Sequence, residues 1–235
     1  MSKRQEIKNR RRKQKQQRRM LTIGVIVIGA GLISAALIYP GTQTNNEFRS
    51  REIAQDNTMG NPDAPITITE YSDYKCGHCA YFTFDTEHLL EDEYINTGKV
   101  YFISRSVGGM LSGAQPLLAA EAAYCAGEQN KFWELHDLIF ANQTTTFSKG
   151  TLEKWAKTAG ADVDEYKACM ANNTYFDRAN QDEIDAKAEG INGTPSFIIT
   201  YVVDGEEVKE ILPGNYPFQA FQDVIERALA EMGLN

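Results

Sequence analysis

Cys76 and Cys79 stand three residues apart in the stretch EYSDYKCGHCAYF, with Gly77 and His78 between them. Such a pair can supply half of a zinc site, tether a haem, staple a loop, or make and break disulfides. A structural zinc site generally needs four Cys or His ligands, commonly from a second C-x-x-C or a paired-histidine motif. Cys125 and Cys169 stand alone, and His88 and His136 have no partner at ligand spacing. No metal is expected. Haem attachment needs a histidine directly after the second cysteine, and residue 80 is alanine. A static staple across so small a loop removes little entropy from the unfolded chain. Redox exchange is the reading that uses more than the pair itself.

The elements around the pair favour it. "APITITEYSDY" alternates apolar and polar residues and is rich in β-branched types, which predicts a strand. Residues 77–95 carry Phe82, Leu89 and Leu90 at roughly helical spacing, and "KVYFISRSV" predicts a second strand. The cysteines therefore fall at a strand-to-helix junction. A cysteine in the first turn of a helix faces unpaired N–H groups and the positive end of the macrodipole. Both favour the thiolate, the reactive form. Cys76 is expected to be the exposed nucleophile and Cys79, one turn inward, the buried resolving thiol. His78, when protonated, would add positive charge near Cys76; its plainer role is an exposed spacer. Asp73, near the turn, reads as a solvated surface acid.

Residues 113–190 read as helical almost throughout, with breaks at Gly127, Gly160 and Gly190. "SFIITYVV" and "EEVKEIL" flank Asp204-Gly205, the signature of a type I′ hairpin. Phe218, Phe221, Ile225 and Leu229 set the stripe of a final helix. Cys125 and Cys169 lie on apolar helix faces. Four cysteines allow three pairings, and free buried cysteines also serve as small hydrophobes.

The net charge of −8 over 235 residues hides an asymmetry. Residues 1–39 carry +9 and the remainder −17. A basic tail could bind nucleic acid, but "RRRKQKQQRR" runs directly into "MLTIGVIVIGAGLISAALIY", 20 residues without a charge. At about 1.5 Å per residue that run spans a hydrocarbon core of about 30 Å. Clustered positive charge keeps the preceding tail in the cytoplasm. The expected organisation is a tail at 1–19, a transmembrane helix at 20–39, a polar extracytoplasmic linker at 40–57 and a domain at 58–235. A cleaved secretory signal is the alternative. Either way the domain lies outside the cytoplasm, where disulfides persist, and this compartment favours a structural bridge between Cys125 and Cys169. No nucleic-acid partner is expected.

CGHC at a strand-to-helix junction, with "GTPSF" leading into a later strand, resembles the thioredoxin superfamily. The helical insert at about 113–190 makes the chain similar to the DsbA-like branch, and "GNPDAPITITEYSDYKCGHC" looks like the opening of its membrane-anchored or secreted bacterial members. The resemblance covers roughly residues 58–233. It implies an α/β thioredoxin fold with a helical insertion, and a cis peptide bond at Thr194-Pro195 facing the cysteines. Thr194 and Gly77 become expected substrate contacts. Glu70 becomes a buried acid that exchanges a proton with Cys79; it shares parity with Cys76 along the strand. The implied activity is oxidation of exported proteins with free thiols, with reoxidation by a membrane quinone-linked partner of the DsbB or vitamin K epoxide reductase type. No bound cofactor is implied. The Gly-His dipeptide departs from the Pro-His of DsbA itself and is the pair of protein disulfide isomerases. A tethered reductase or isomerase, and a chaperone-like binding module, are the rival functions.

Overall fold

The structure is a computed structural model that describes residues 49, 51, 53–108 and 113–234. The expected tail and transmembrane helix lie outside the described residues, and no helix among those described is long and apolar enough to cross a membrane. In chain order the elements are β1 (Ala54–Gln55), β2 (Thr58–Met59), β3 (Ile66–Ser72), α1 (Gly77–Asp85) and α2 (Glu87–Leu90). A π-helical turn, Glu91–Ile95, leads to β4 (Val100–Ser106). The insert follows as α3 (Ala114–Gly127), α4 (Phe132–Ala141), α5 (Lys149–Thr158), α6 (Val163–Ala171) and α7 (Phe176–Ala188). Then come β5 (Ser196–Val203), β6 (Glu206–Pro213) and α8 (Phe218–Glu231).

The sheet order is β1-β2-β4-β3-β5-β6. β3 is central, parallel to β4 and antiparallel to β5. Because side chains alternate along a strand, Ile66, Ile68 and Glu70 share one face. So do Val100 and Phe102 of β4 and Phe197 and Ile199 of β5, and all these apolar residues join the main core. Tyr71 and Ile198 turn the other way, into a smaller cluster with Ala186 of α7. β5 and β6 close on Asp204 and Gly205, both at positive φ, which a type I′ turn requires.

α1 is pinned to the sheet by Phe82. Its ring lies 4.5 Å from Phe197, 5.6 Å from Phe221 of α8 and 6.3 Å from Phe102, between ring centroids. Truncating so buried an aromatic costs about 3–5 kcal/mol. α5 and α6 begin on side-chain caps. Ser148 Oγ accepts from the Thr151 N–H, and Asp162 Oδ1 accepts from Asp164 and Glu165.

Two local expectations need correction. The linker was expected to run to residue 57, yet β1 and most of its turn to β2 lie inside it, and Asn57 is buried and donates to the Ser104 carbonyl at 2.6 Å. These strands are two residues long, too short to show an alternating pattern. The single helix expected over 77–95 is instead broken at Thr86 and ends in the π-helical turn. Here Glu87 and Glu91 point inward and are buried, where arginines meet them. Arg51 Nη2 lies 2.6 Å from Glu87 and Arg49 Nε 2.7 Å from Glu91.

Cys125 of α3 and Cys169 of α6 are bonded, 44 residues apart in sequence and both buried. Closing such a loop stabilises by about 2–4 kcal/mol. Gentle dithiothreitol treatment followed by mass mapping should find this bond intact while Cys76 and Cys79 become alkylatable. The double substitution Cys125→Ala/Cys169→Ala should lower Tm without changing the reactivity of Cys76. Free thiols at 125 and 169 in non-reduced protein would contradict the bridge.

Candidate active site

β3 ends in a turn that must reverse the chain into α1. Asp73 shapes it: Oδ1 accepts from the Lys75 N–H at 2.7 Å and its carbonyl accepts from the Cys76 N–H at 2.9 Å. Asp side chains commonly mimic a turn in this way. Asp73 is therefore fully buried and not the solvated acid expected of it. Satisfying the chain's own N–H groups replaces water as its partner.

Cys76 occupies the N-cap of α1 with an extended backbone, φ −82° and ψ 119°. Its thiol is half-buried and donates to the Thr194 carbonyl at 3.3 Å. Hydrogen bonding from the Cys79 thiol draws its pKa down to about 5. Partial burial opposes this, while the Thr194 side chain and the backbone N–H groups of Cys79 and His78 reinforce it. Hydrogen bonds to the charged form favour that form. Cys79 is the reverse case. It is buried, its sulfur accepts from the Asp73 N–H at 3.5 Å, and burial pushes its pKa well up, with the Cys76 sulfur adding to the shift. One cysteine is prepared as an anion and the other as a neutral thiol.

Gly77 and His78, the first residues of α1, are exposed. The contribution of His78 visible in the geometry is its backbone N–H, which any residue there would supply. The Thr194-Pro195 peptide bond is cis. Pro195 is buried and its carbonyl accepts from the Gly214 N–H at 2.8 Å, which fastens the loop to the end of β6. Beside it runs a groove lined by Asn192, Thr194, Ile211, Pro213 and Gly214.

Glu70 lies under the pair with no exposed surface. It sits opposite Ser104 in β4, whose hydroxyl donates to Oε2 at 3.3 Å. Burial raises its pKa to about 8, and the Glu87 carboxylate adds to the rise. At neutral pH Glu70 is mostly a neutral acid. The folded chain keeps this proton between the ordinary carboxylate value of 4.5 and about 8, so this group lowers stability as pH climbs through that window.

Several residues that sequence reasoning passed over complete the site. Gln143 Nε2 donates to the Cys76 carbonyl at 3.3 Å. Lys75 Nζ donates to the carbonyls of Gln143 and Thr145 at 2.7 and 2.6 Å and sits 3.8 Å over the Phe147 ring. The segment after α4 thus clamps the nucleophile's turn. These partners are 67 to 70 residues apart, and no local pattern announces them.

A thioredoxin-type sheet, an inserted helical block and a C-x-x-C at a helix start facing a cis-proline define a protein of the thioredoxin-fold class. The family model described as thioredoxin matches residues 53–225, and the chain belongs to that family. The crystal structure of α-DsbA1 from Wolbachia pipientis superposes with a TM-score of 0.66 at 22% identity, covering 77% of this chain and 94% of that one. A Rickettsia conorii protein provisionally named a protein-disulfide oxidoreductase is 29% identical over 75% of this chain and 61% of its own length. A Na(+)/H(+) antiporter of Salinispora tropica is 30% identical over 62% of this chain. The chain spans only 22% of that antiporter.

Titrating thiolate absorbance of the reduced full chain should give a midpoint near 5 for Cys76. In the reduced fold Cys76 binds fewer protons than when unfolded between about 5 and the ordinary thiol value of about 9. The reduced form should therefore gain stability over the oxidised form as pH rises through that window. A midpoint at or above the free-cysteine value of about 8.5 would defeat the arrangement described.

Proposed function

We propose that the chain is a thiol–disulfide oxidoreductase that introduces disulfides into exported proteins through Cys76 and Cys79. The observation that carries this reading is the opposite tuning of the two sulfurs: Cys76 at the helix start is drawn towards the thiolate above about pH 5, and Cys79 is buried and kept protonated. A stabilised thiolate stabilises the reduced pair, and that makes the disulfide form a strong oxidant.

In the forward direction a substrate thiolate attacks Cys76 Sγ and the Cys76–Cys79 bond breaks. The electron pair passes to Cys79, which takes a proton from Glu70. A second substrate thiolate then attacks the substrate sulfur of the mixed disulfide, and Cys76 leaves as a thiolate. Two electrons have moved to the protein and the substrate holds a new disulfide. The Thr194 backbone beside the groove suits an extended substrate segment, paired like an added strand. The Cys76 thiol, while protonated, occupies the Thr194 carbonyl, and its ionisation or a disulfide at Cys76 frees it.

The uncharged run at residues 20–39 and the basic stretch before it support a single-pass anchor with the domain outside the cytoplasm. A membrane quinone-linked oxidase of the DsbB or vitamin K epoxide reductase type is the matching reoxidant. The reductase or isomerase alternative uses the same residues in the opposite direction, and the Gly-His dipeptide is what favours it. The Cys76–Cys79 reduction potential in glutathione buffers separates them: an oxidase lies well above about −230 mV and a reductase near about −270 mV.

Cys76→Ser should abolish oxidation of a reduced model substrate. Cys79→Ser should instead accumulate mixed disulfides through Cys76, because the nucleophile remains and the resolving thiol is gone. Non-reducing electrophoresis reads both. Labelling of Cys79 ahead of Cys76 by an alkylating agent at mildly acidic pH would reverse the assigned roles.

A further inference from the structure

Beside Glu70 lie Glu87 and His136, polar side chains that the exchange steps above do not use. One carboxylate oxygen each of Glu70 and Glu87 and one ring nitrogen of His136 lie within 4.8 Å of one another, and all three residues are buried. Each also has a buried polar atom without a hydrogen-bond partner: Glu70 Oε1, Glu87 Oε2 and His136 Nε2. A buried polar atom left unsatisfied has lost its water and gained nothing in exchange. Three together in one place call for a shared occupant.

The charges nearby decide what that occupant is. Arg51 Nη2 already sits 2.6 Å from Glu87 Oε1, and its guanidinium grips both oxygens of Asp137 at 2.9 and 3.1 Å. Glu91 lies 3.9 Å from Arg51 Nε. From the other elements the group meets Tyr74, whose ring packs 5.7 Å from His136, and the Cys76–Cys79 pair above Glu70. Arg51 thus neutralises Glu87 from one side. The group lies within 4.8 Å, yet Glu70 Oε1, Glu87 Oε2 and His136 Nε2 bond no neighbour directly, a spacing that one water molecule bridges and across which it can hand a proton.

His136 also has an outward contact. Its Nδ1 lies 3.1 Å from Asp137 Oδ1, and the Asp137 side chain keeps 18% of its surface in solvent. The ring is held in place by Tyr74, Phe132, Trp133 and Phe140 at 4.9 to 5.8 Å. An imidazole can accept a proton at one nitrogen and release one from the other. We propose that His136 relays protons between solvent at Asp137 and the buried Glu70–Glu87 pair, restoring the proton that Glu70 gives to Cys79. It touches no reacting sulfur and acts only through Glu70, as a positioning residue for that proton. The balance closes. When Cys79 leaves Cys76 with the electron pair, Glu70 supplies its proton, His136 refills Glu70 from Nε2 across the bridging water, and Nδ1 takes a proton from solvent by way of Asp137; the ring is left neutral as its other tautomer, and reoxidation of the pair returns the proton along the same path.

This inference rests on the oxidoreductase reading, and its test separates the two. The oxidised full chain is reduced by dithiothreitol in single turnover across pH 5 to 9, in H₂O and in D₂O. His136→Gln keeps a polar side chain but cannot pass a proton between two ring nitrogens. It should slow reduction on the order of tenfold, below the ~100-fold or more that a general acid itself supplies. The solvent isotope effect should grow and the pH profile should change, while the Cys76 thiolate midpoint stays in place. Asp137→Asn, which removes the outer proton acceptor, should show the same signature and serves if His136→Gln does not fold. A folded His136→Gln with wild-type rate, isotope effect and profile overturns the relay and leaves the oxidoreductase reading standing. A wild-type disulfide that does not exchange with thiols overturns both. Stoichiometric uptake of zinc chloride by the oxidised chain, lost in His136→Gln, overturns the bridging water in favour of a metal ion.

Discussion

A thiolate in a protein needs hydrogen-bond donors that stay where they are. The Cys76 sulfur has them at the first turn of α1, and much of the fold keeps that turn still. Phe82 binds α1 to the sheet through Phe197 and Phe221. Asp73 shapes the reversal that leads into the helix, and Gln143 and Lys75 hold it from the side of the insert. The cis bond before Pro195 brings Thr194 up to the sulfur, and the Gly214 N–H ties that loop to β6. Each tie comes from a different part of the chain, so the anion's environment is a tertiary property of the whole domain.

The insert does more than lengthen the chain. It supplies Gln143 for the turn, His136 and Asp137 for the layer beside Glu70, and a bonded pair of helices as a rigid frame. Charged groups in this layer are not scattered. Arg51 reaches in from before β1, lies 4.8 Å over the Trp133 ring and pairs with both α2 and α4. Burying an arginine is costly, and removing one partner of such a pair typically costs about 3–5 kcal/mol. Burial disfavours the Arg51 charge, yet Glu87 and Asp137 outweigh it and raise its pKa.

What was legible in the sequence was local. The junction that carries Cys76, the Asp204-Gly205 hairpin and the stripe of α8 are each written within a few residues, in turn chemistry or periodicity. What was not legible depended on partners far away. Glu87 carries no local sign of its burial, because its partner Arg51 lies 36 positions earlier. His136 looks like a lone histidine because Glu70 and Glu87 approach it only after folding. Asp73 was misplaced because a carboxylate satisfied by its own backbone needs no solvent. The resemblance to the DsbA-like branch pointed to Glu70 and Pro195, and the residues alone carried neither.

The pattern of sulfur pairing also bears on how the chain is made. Cys125 is bonded to Cys169, and the proposed disulfide form joins Cys76 to Cys79, so first meets second and third meets fourth. A chain emerging N-terminus first presents its thiols in that same order. Each new cysteine finds the correct mate by joining the one just before it or by waiting for the next. Neither closed loop encloses the other, so oxidation during synthesis can proceed by simple succession, with no later reshuffling of wrong partners.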